Sequence, residues 1–107
     1  MRENHARALP RPWQRTARVF MALGEEHRQR ILLMFEPGEK LSVSAIVAAS
    51  TLSRSAVAHH LAVMREAGVL RAERAGRETL YAPDPRAVRA ALDAVRDYLD
   101  AHFPDAG

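Results

Sequence analysis

The 107-residue sequence contains no cysteine. That absence removes disulfides, thiolate metal sites, iron–sulfur clusters and thiol catalysis together. Lysine is nearly as scarce, since Lys40 is the only one among sixteen basic residues. No apolar run approaches the roughly 18–20 residues that span a bilayer. The longest are Ile31–Phe35 and Ala45–Ala49, so no membrane partner is expected. The Arg-rich start is poor in Ser and has no apolar secretory core, and a cytoplasmic location is expected. There is no internal repeat, no Gly-rich phosphate loop, no supported Ser–His–Asp arrangement and no metal-ligand cluster in the sequence. An enzyme is therefore not expected, and no cofactor or metal is assigned.

What is present is an ordinary globular composition, with 48% apolar and 27% charged residues. The length allows one domain, burying roughly two-thirds of its unfolded surface. The formal net charge of +3 is unevenly spread. Five arginines (Arg2, Arg7, Arg11, Arg15, Arg18) oppose Glu3 in residues 1–20, whereas three arginines face five aspartates in residues 83–107. An Arg surplus suits a polyanion partner, though +3 is a weak signal by itself.

Residues 1–12 are polar, carry two prolines and read as a flexible basic arm; residues 13–103 read as the domain. Apolar residues at 13, 17, 20, 21 and 23 have helical spacing. After Gly24, the acids Glu25 and Glu26 suit a helix N-terminus, and Ile31, Leu32 and Phe35 form the stripe of a second helix that Pro37-Gly38 stops. Ser42 or Ser44 can cap a short third helix carrying Val43, Ile46 and Val47. Ser50-Thr51 makes a tight turn. Ser53 caps a fourth helix, whose Val57, Leu61 and Met64 share one face and which Gly68 closes with a left-handed C-cap. Two short extended runs about Gly76, within residues 69–82, read as a β-hairpin. From Arg86 to Phe103, Val88, Leu92, Val95, Leu99 and Phe103 make one long apolar stripe.

Helix, helix, short helix, tight turn, helix, hairpin, helix is the order of a winged helix-turn-helix: mainly α, with a small β-hairpin wing and a last helix behind it. In such a unit the second helix of the bihelical pair enters the major groove and the hairpin lies along the backbone. The outer face of the fourth helix offers Ser53, Arg54, Ser55, Ala58, His59 and Ala62. Small residues permit close approach, Arg54 can fork to a guanine edge or a phosphate, and Ser55 and His59 can donate to either. On the hairpin, Arg71, Arg74 and Arg77 suit phosphate neutralisation or minor-groove insertion. His60, beside Leu61, is assigned to packing beneath the helix. Asp93, Asp97 and Asp100 are read as the wet face of an amphipathic helix rather than a cation site.

Leu52–Leu61, followed by Met64–Leu70, resembles the recognition helix of ArsR-type winged-helix repressors. Ala22–Leu32 is similar to that family's second-helix pattern, with Ala22-Leu23 followed by Arg28 and Ile31-Leu32. The likeness covers about residues 15–100. It implies a homodimeric repressor of bacterial or archaeal type that binds double-stranded operator DNA, its first and last helices building the dimer. Trp13, Phe20, Val88, Leu92, Val95 and Leu99 are the seam residues this assigns. The family's cysteine pair falls on Leu41-Ser42-Val43-Ser44, where hydroxyls replace thiols; its other ligand set falls on Asp84, Arg86, Asp97 and Asp100, with no imidazole and a fixed cation at Arg86. Neither metal site is expected to function. The family often has Gly where Thr51 stands, so a strained backbone is one expectation there. Two alternatives remain open: a winged-helix protein-interaction module without DNA binding, and a repressor with a non-standard metal or small-molecule effector site. The operator sequence and the effector are not written in the sequence.

Overall fold

The computed structural model describes residues 1–105. The elements run α1 (Asn4–Arg7), α2 (Arg11–Leu23), α3 (Glu26–Met34), β1 (Leu41–Ser42), α4 (Val43–Ala49), α5 (Arg54–Glu66), β2 (Leu70–Ala75), β3 (Glu78–Pro83) and α6 (Pro85–His102). α1 is a single exposed turn. α2 starts at Arg11, because Pro12 falls in the first turn, where its missing N–H is no loss. Pro85 opens α6 in the same way.

Side-chain caps set most of the other helix starts. Glu25 accepts from the Arg28 N–H, Ser53 from the Ala56 N–H and Asp84 from the Arg86 N–H. Of the two serines that could cap the short helix, Ser42 is the one used, its Oγ accepting from the Ala45 N–H at 3.1 Å. Each such cap contributes on the order of 0.5–2 kcal/mol. Ser42 is also the last residue of β1, an element absent from the sequence reading. β1 pairs antiparallel with β3 (Leu41↔Tyr81, Ser42↔Leu80), so the wing is a three-stranded sheet of order β1-β3-β2. β2 and β3 pair from Leu70↔Pro83 to Ala75↔Glu78, leaving Gly76-Arg77 as a two-residue loop. Gly76 takes φ 64° and Arg77 does not take a positive φ, as in a type II′ hairpin turn.

The core forms where the inner face of α5 meets everything else. Val57, Leu61 and Met64 are fully buried with Val19, Ala22, Ile31, Ile46, Val69, Leu70 and Ala91. The i, i+4, i+7 stripe of α5 is thus the centre of the domain. Its end is fixed by a Schellman closure, in which the Val69 N–H reaches the Met64 carbonyl at 2.9 Å and the Gly68 N–H reaches Arg65 at 3.0 Å. Gly68 has φ 81°, and a Cβ there would lie 2.9 Å from the Ala87 Cβ on α6.

Thr51 is not strained. Among the described residues, positive φ is confined to glycine. Ser50 is extended, and its Oγ accepts from the Leu52 N–H at 3.2 Å. A hydroxyl turn replaces the left-handed residue that a glycine would supply.

Replacing Gly68 with Ala is expected to cost more than replacing Gly76. Both incur the left-handed penalty of about 1–2 kcal/mol, but only Gly68 also meets a neighbouring side chain. Urea unfolding of the two variants checks the order.

Candidate nucleic-acid interface

Burying Val57, Leu61 and Met64 turns the opposite face of α5 outward. Ser53, Arg54, Ser55, Ala58, His59 and Ala62 are all exposed on it. Ser53 is committed locally as the cap, with its Oγ 3.3 Å from the Ser55 Oγ. Arg54 is held from the side: its Nη2 donates to the Ser44 Oγ on α4 at 2.9 Å. Sequence reasoning did not find this role for Ser44, since nothing in the chain couples a residue on one helix to a partner ten positions later on the next.

The three wing arginines divide into two groups. Successive strand residues face opposite ways. Arg74 and Arg77 line an open groove of about 260 Å³ with Arg54, Ser44 and Thr79. Arg74 Nη1 donates to the Thr79 Oγ1 at 3.4 Å, which keeps the guanidinium over the sheet. Arg71 lies on the other face, donating to the Pro83 carbonyl at 3.1 Å. Beside it, Lys40 and Glu73 form a 2.6 Å ion pair that holds the Glu73 carboxyl below its usual range. Three cations from α5 and the wing thus line one groove with a single carboxylate, Glu78, and among the described residues none of the three is in an ion pair, while Arg71 shares its face with Glu73. Chemically, the groove presents forked N–H donors and hydroxyls to a polyanion.

The positions that align with the family's metal ligands have local duties. Ser42 caps α4 and Ser44 holds Arg54. Asp84 and Arg86 are joined by two side-chain bonds of 3.0 and 2.7 Å. The Arg86 guanidinium, helped by its own N–H, lowers the Asp84 carboxyl to a pKa of about 2. Asp97 and Asp100 are exposed on α6. Among the described residues, Glu25, His27 and His60 do come together between α3 and α5, a meeting that no sequence spacing announces.

The residues assigned to a seam also divide. Trp13 meets Tyr98 edge-to-face at 5.5 Å within the chain, and Val88 packs on the core. Val95 is half-buried. Phe20, Leu92 and Leu99 remain 41%, 51% and 48% exposed.

A bihelical unit with an exposed, arginine-bearing second helix, flanked by a basic wing, defines a winged helix-turn-helix DNA-binding transcriptional regulator. The comparisons agree. The sequence profile described as bacterial regulatory protein, arsR family, matches residues 25–72. The chain is 30% identical over 95 residues to the arsenic resistance transcriptional regulator ArsR1 of Pseudomonas putida, covering 82% of this chain and 72% of that protein. An ArsR-like transcriptional regulator from Rhodococcus superposes with a TM-score of 0.74 at 25% identity, over 81% of this chain and 79% of that one. A homodimeric winged helix-turn-helix DNA-binding domain from Mycobacterium bovis, a possible ArsR-family regulator, gives 0.63 at 26% identity, over 83% and 82%. This chain belongs to the ArsR family of transcriptional regulators, and its fold and family are not those of an enzyme. No helix of the described residues is long and apolar enough to cross a membrane.

The Asp84–Arg86 pair sets an acid dependence. A carboxyl lowered in the folded state stabilises it above the unfolded pKa, and the contribution is lost as pH falls through the folded value. Wild type is expected to exceed Arg86→Gln in stability above a pH of ~4, the difference closing as pH approaches 2. Urea midpoints across that range check it.

Proposed function

We propose that the chain is a homodimeric repressor that occupies a pseudo-palindromic operator in the cytoplasm. The paired α5 helices enter successive major grooves about 34–36 Å apart. The observation that carries this reading is the convergence of Arg54, Arg74 and Arg77 on one open groove beside the exposed face of α5. Arg54 reads a base edge or grips a phosphate at the helix start, with Ser53, Ser55 and His59 along the same face. Arg74 and Arg77 neutralise backbone phosphates, and Arg71 extends the contact from the outer side of the wing.

The homodimer is supported by the uncovered stripe of α6. An exposed row that includes Leu92 and Leu99, with Phe20 from α2, is costly to leave in water at roughly 25 cal/mol per Å². A second copy of the same face covers it. Trp13 and Val88 then shape the seam from within, and Val95 joins it from its half-buried position. Residues 13–103 form the DNA-binding and dimerisation unit, with residues 1–12 as a basic arm. The thiolate metal site of the family is lost: hydroxyls at Ser42 and Ser44 are poor ligands for soft ions, and both are already committed to the fold.

Gel-shift titrations on a selected operator check the interface. Arg54→Ala is expected to cost about 1–3 kcal/mol and to relax specificity, whereas Arg77→Ala weakens all sequences about equally. If a dimer neutralises roughly 6–10 phosphates, affinity falls about 10³–10⁵-fold between 50 and 200 mM salt. Unchanged affinity in both variants would overturn the assignment.

The seam has its own check. Leu92→Glu places charges in the apolar stripe and is expected to shift sedimentation from dimer to monomer without unfolding the chain, because Leu92 is already half-exposed within one chain. A monomeric wild type refutes the seam.

A further inference from the structure

The Glu25, His27 and His60 side chains meet at a junction away from the arginine groove, where Glu25 also caps α3. Glu25 precedes α3, His27 lies in its first turn and His60 comes from the middle of α5. One potential ligand atom from each falls within 4.8 Å of the others. The two imidazole rings are nearly parallel, with centroids 5.8 Å apart and planes 13° from one another. His27 Nδ1 donates to the Glu25 Oε1 at 2.9 Å, and the two side chains are 39% and 35% exposed. An ion can therefore reach them from solvent.

We infer that Glu25, His27 and His60 form a binding site for a divalent transition-metal ion of the zinc, cobalt or nickel type. Two imidazoles and a carboxylate are the donor set such ions take, while soft thiophilic species are excluded for want of sulfur. Water completes the coordination. The site coincides with neither position at which ArsR-type ligand sets align with this sequence: it joins the N-terminus of α3 to the outward-facing helix α5.

The protonation states favour an ion. Partial burial lowers the His60 pKa, and the adjacent Arg28 and imidazoles push it the same way against the pull of Glu25, so the ring is held in its neutral form. The hydrogen bond from His27 lowers the Glu25 pKa and keeps that group a carboxylate.

Arg28 is the opposing charge. Its Nε donates to the Ala22 carbonyl at 2.7 Å and its Nη2 to the Met21 carbonyl at 3.1 Å, which anchors the guanidinium to the end of α2. Only its third arm, Nη1, touches His60, at 3.3 Å from Nδ1. That contact occupies the Nδ1 lone pair, and because the guanidinium is one rigid plane held by its two carbonyl bonds, an ion takes this nitrogen when the His60 ring turns away from Nη1. Ligands about 2.0–2.2 Å from one tetrahedral ion lie about 3.3–3.6 Å apart, so the three side chains draw together as the ion binds, with the part-exposed His27 free to turn inward.

The test is a titration of the untagged full chain with Zn(II) by calorimetry and with Co(II) by visible absorption, in the absence of DNA. A failure here is thus separate from any failure of the operator reading. One equivalent per chain with a ligand-field Co(II) spectrum is expected. His27→Gln, His60→Gln and Glu25→Gln should each weaken binding at least tenfold, and His5→Gln should leave it unchanged. The surface change His27→Gln keeps the test decisive if the His60 variant fails to fold, as circular dichroism would show. Absence of a bound equivalent, or wild-type affinity in His27→Gln, overturns the proposal.

Discussion

The whole arrangement depends on the burial of one face of α5. With Val57, Leu61 and Met64 excluded from water, the helix can neither roll nor slide without exposing them, and the opposite face is therefore fixed outward. Closure at Gly68 against Ala87 adds a longitudinal stop. Because a packed interior tolerates little displacement, the outer residues are presented by a rigid body, and the entropy of ordering them is met on folding.

Around that helix, neighbouring elements place single polar groups where the outer face needs them. Ser44 reaches Arg54 from α4, and the wing brings Arg74 and Arg77 to the same groove. The pairing of β1 with β3 underlies this. It ties the start of α4 to the wing, so that Ser44 and Arg74 belong to one framework even though β1 and β2 do not pair directly.

Much of the fold was legible because its causes are local. A 3.6-residue rhythm announced α5, serine caps and the acids Glu25 and Glu26 marked helix starts, and Gly68 and Gly76 stand where φ must be positive. What escaped was set by tertiary context. β1 is only two residues long and exists through its partner, so no periodicity betrays it. Thr51 departed from the family pattern, yet the neighbouring Ser50 hydroxyl supplies another way round the corner. The candidate interface was legible as a set of residues but not as a geometry. Arg71 and Arg74 read as equivalent in a basic run, and the alternation of the strand sends them to opposite faces. His60, beside Leu61, reads as a packing residue along the chain, and its meeting with Glu25 and His27 depends on how α3 lies across α5.

The ion pair between Lys40 and Glu73 has a practical side. Lys40 carries the only side-chain amine in the sequence, and Glu73 faces away from Arg74 on the wing. Among side chains, amine-selective reagents will therefore attach at one address, on the back of the sheet, the α-amine of Met1 being their other target. A dye, a cross-linker or a sensor-chip tether placed there sits clear of the arginine groove, so the molecule can be labelled or immobilised with that groove left open.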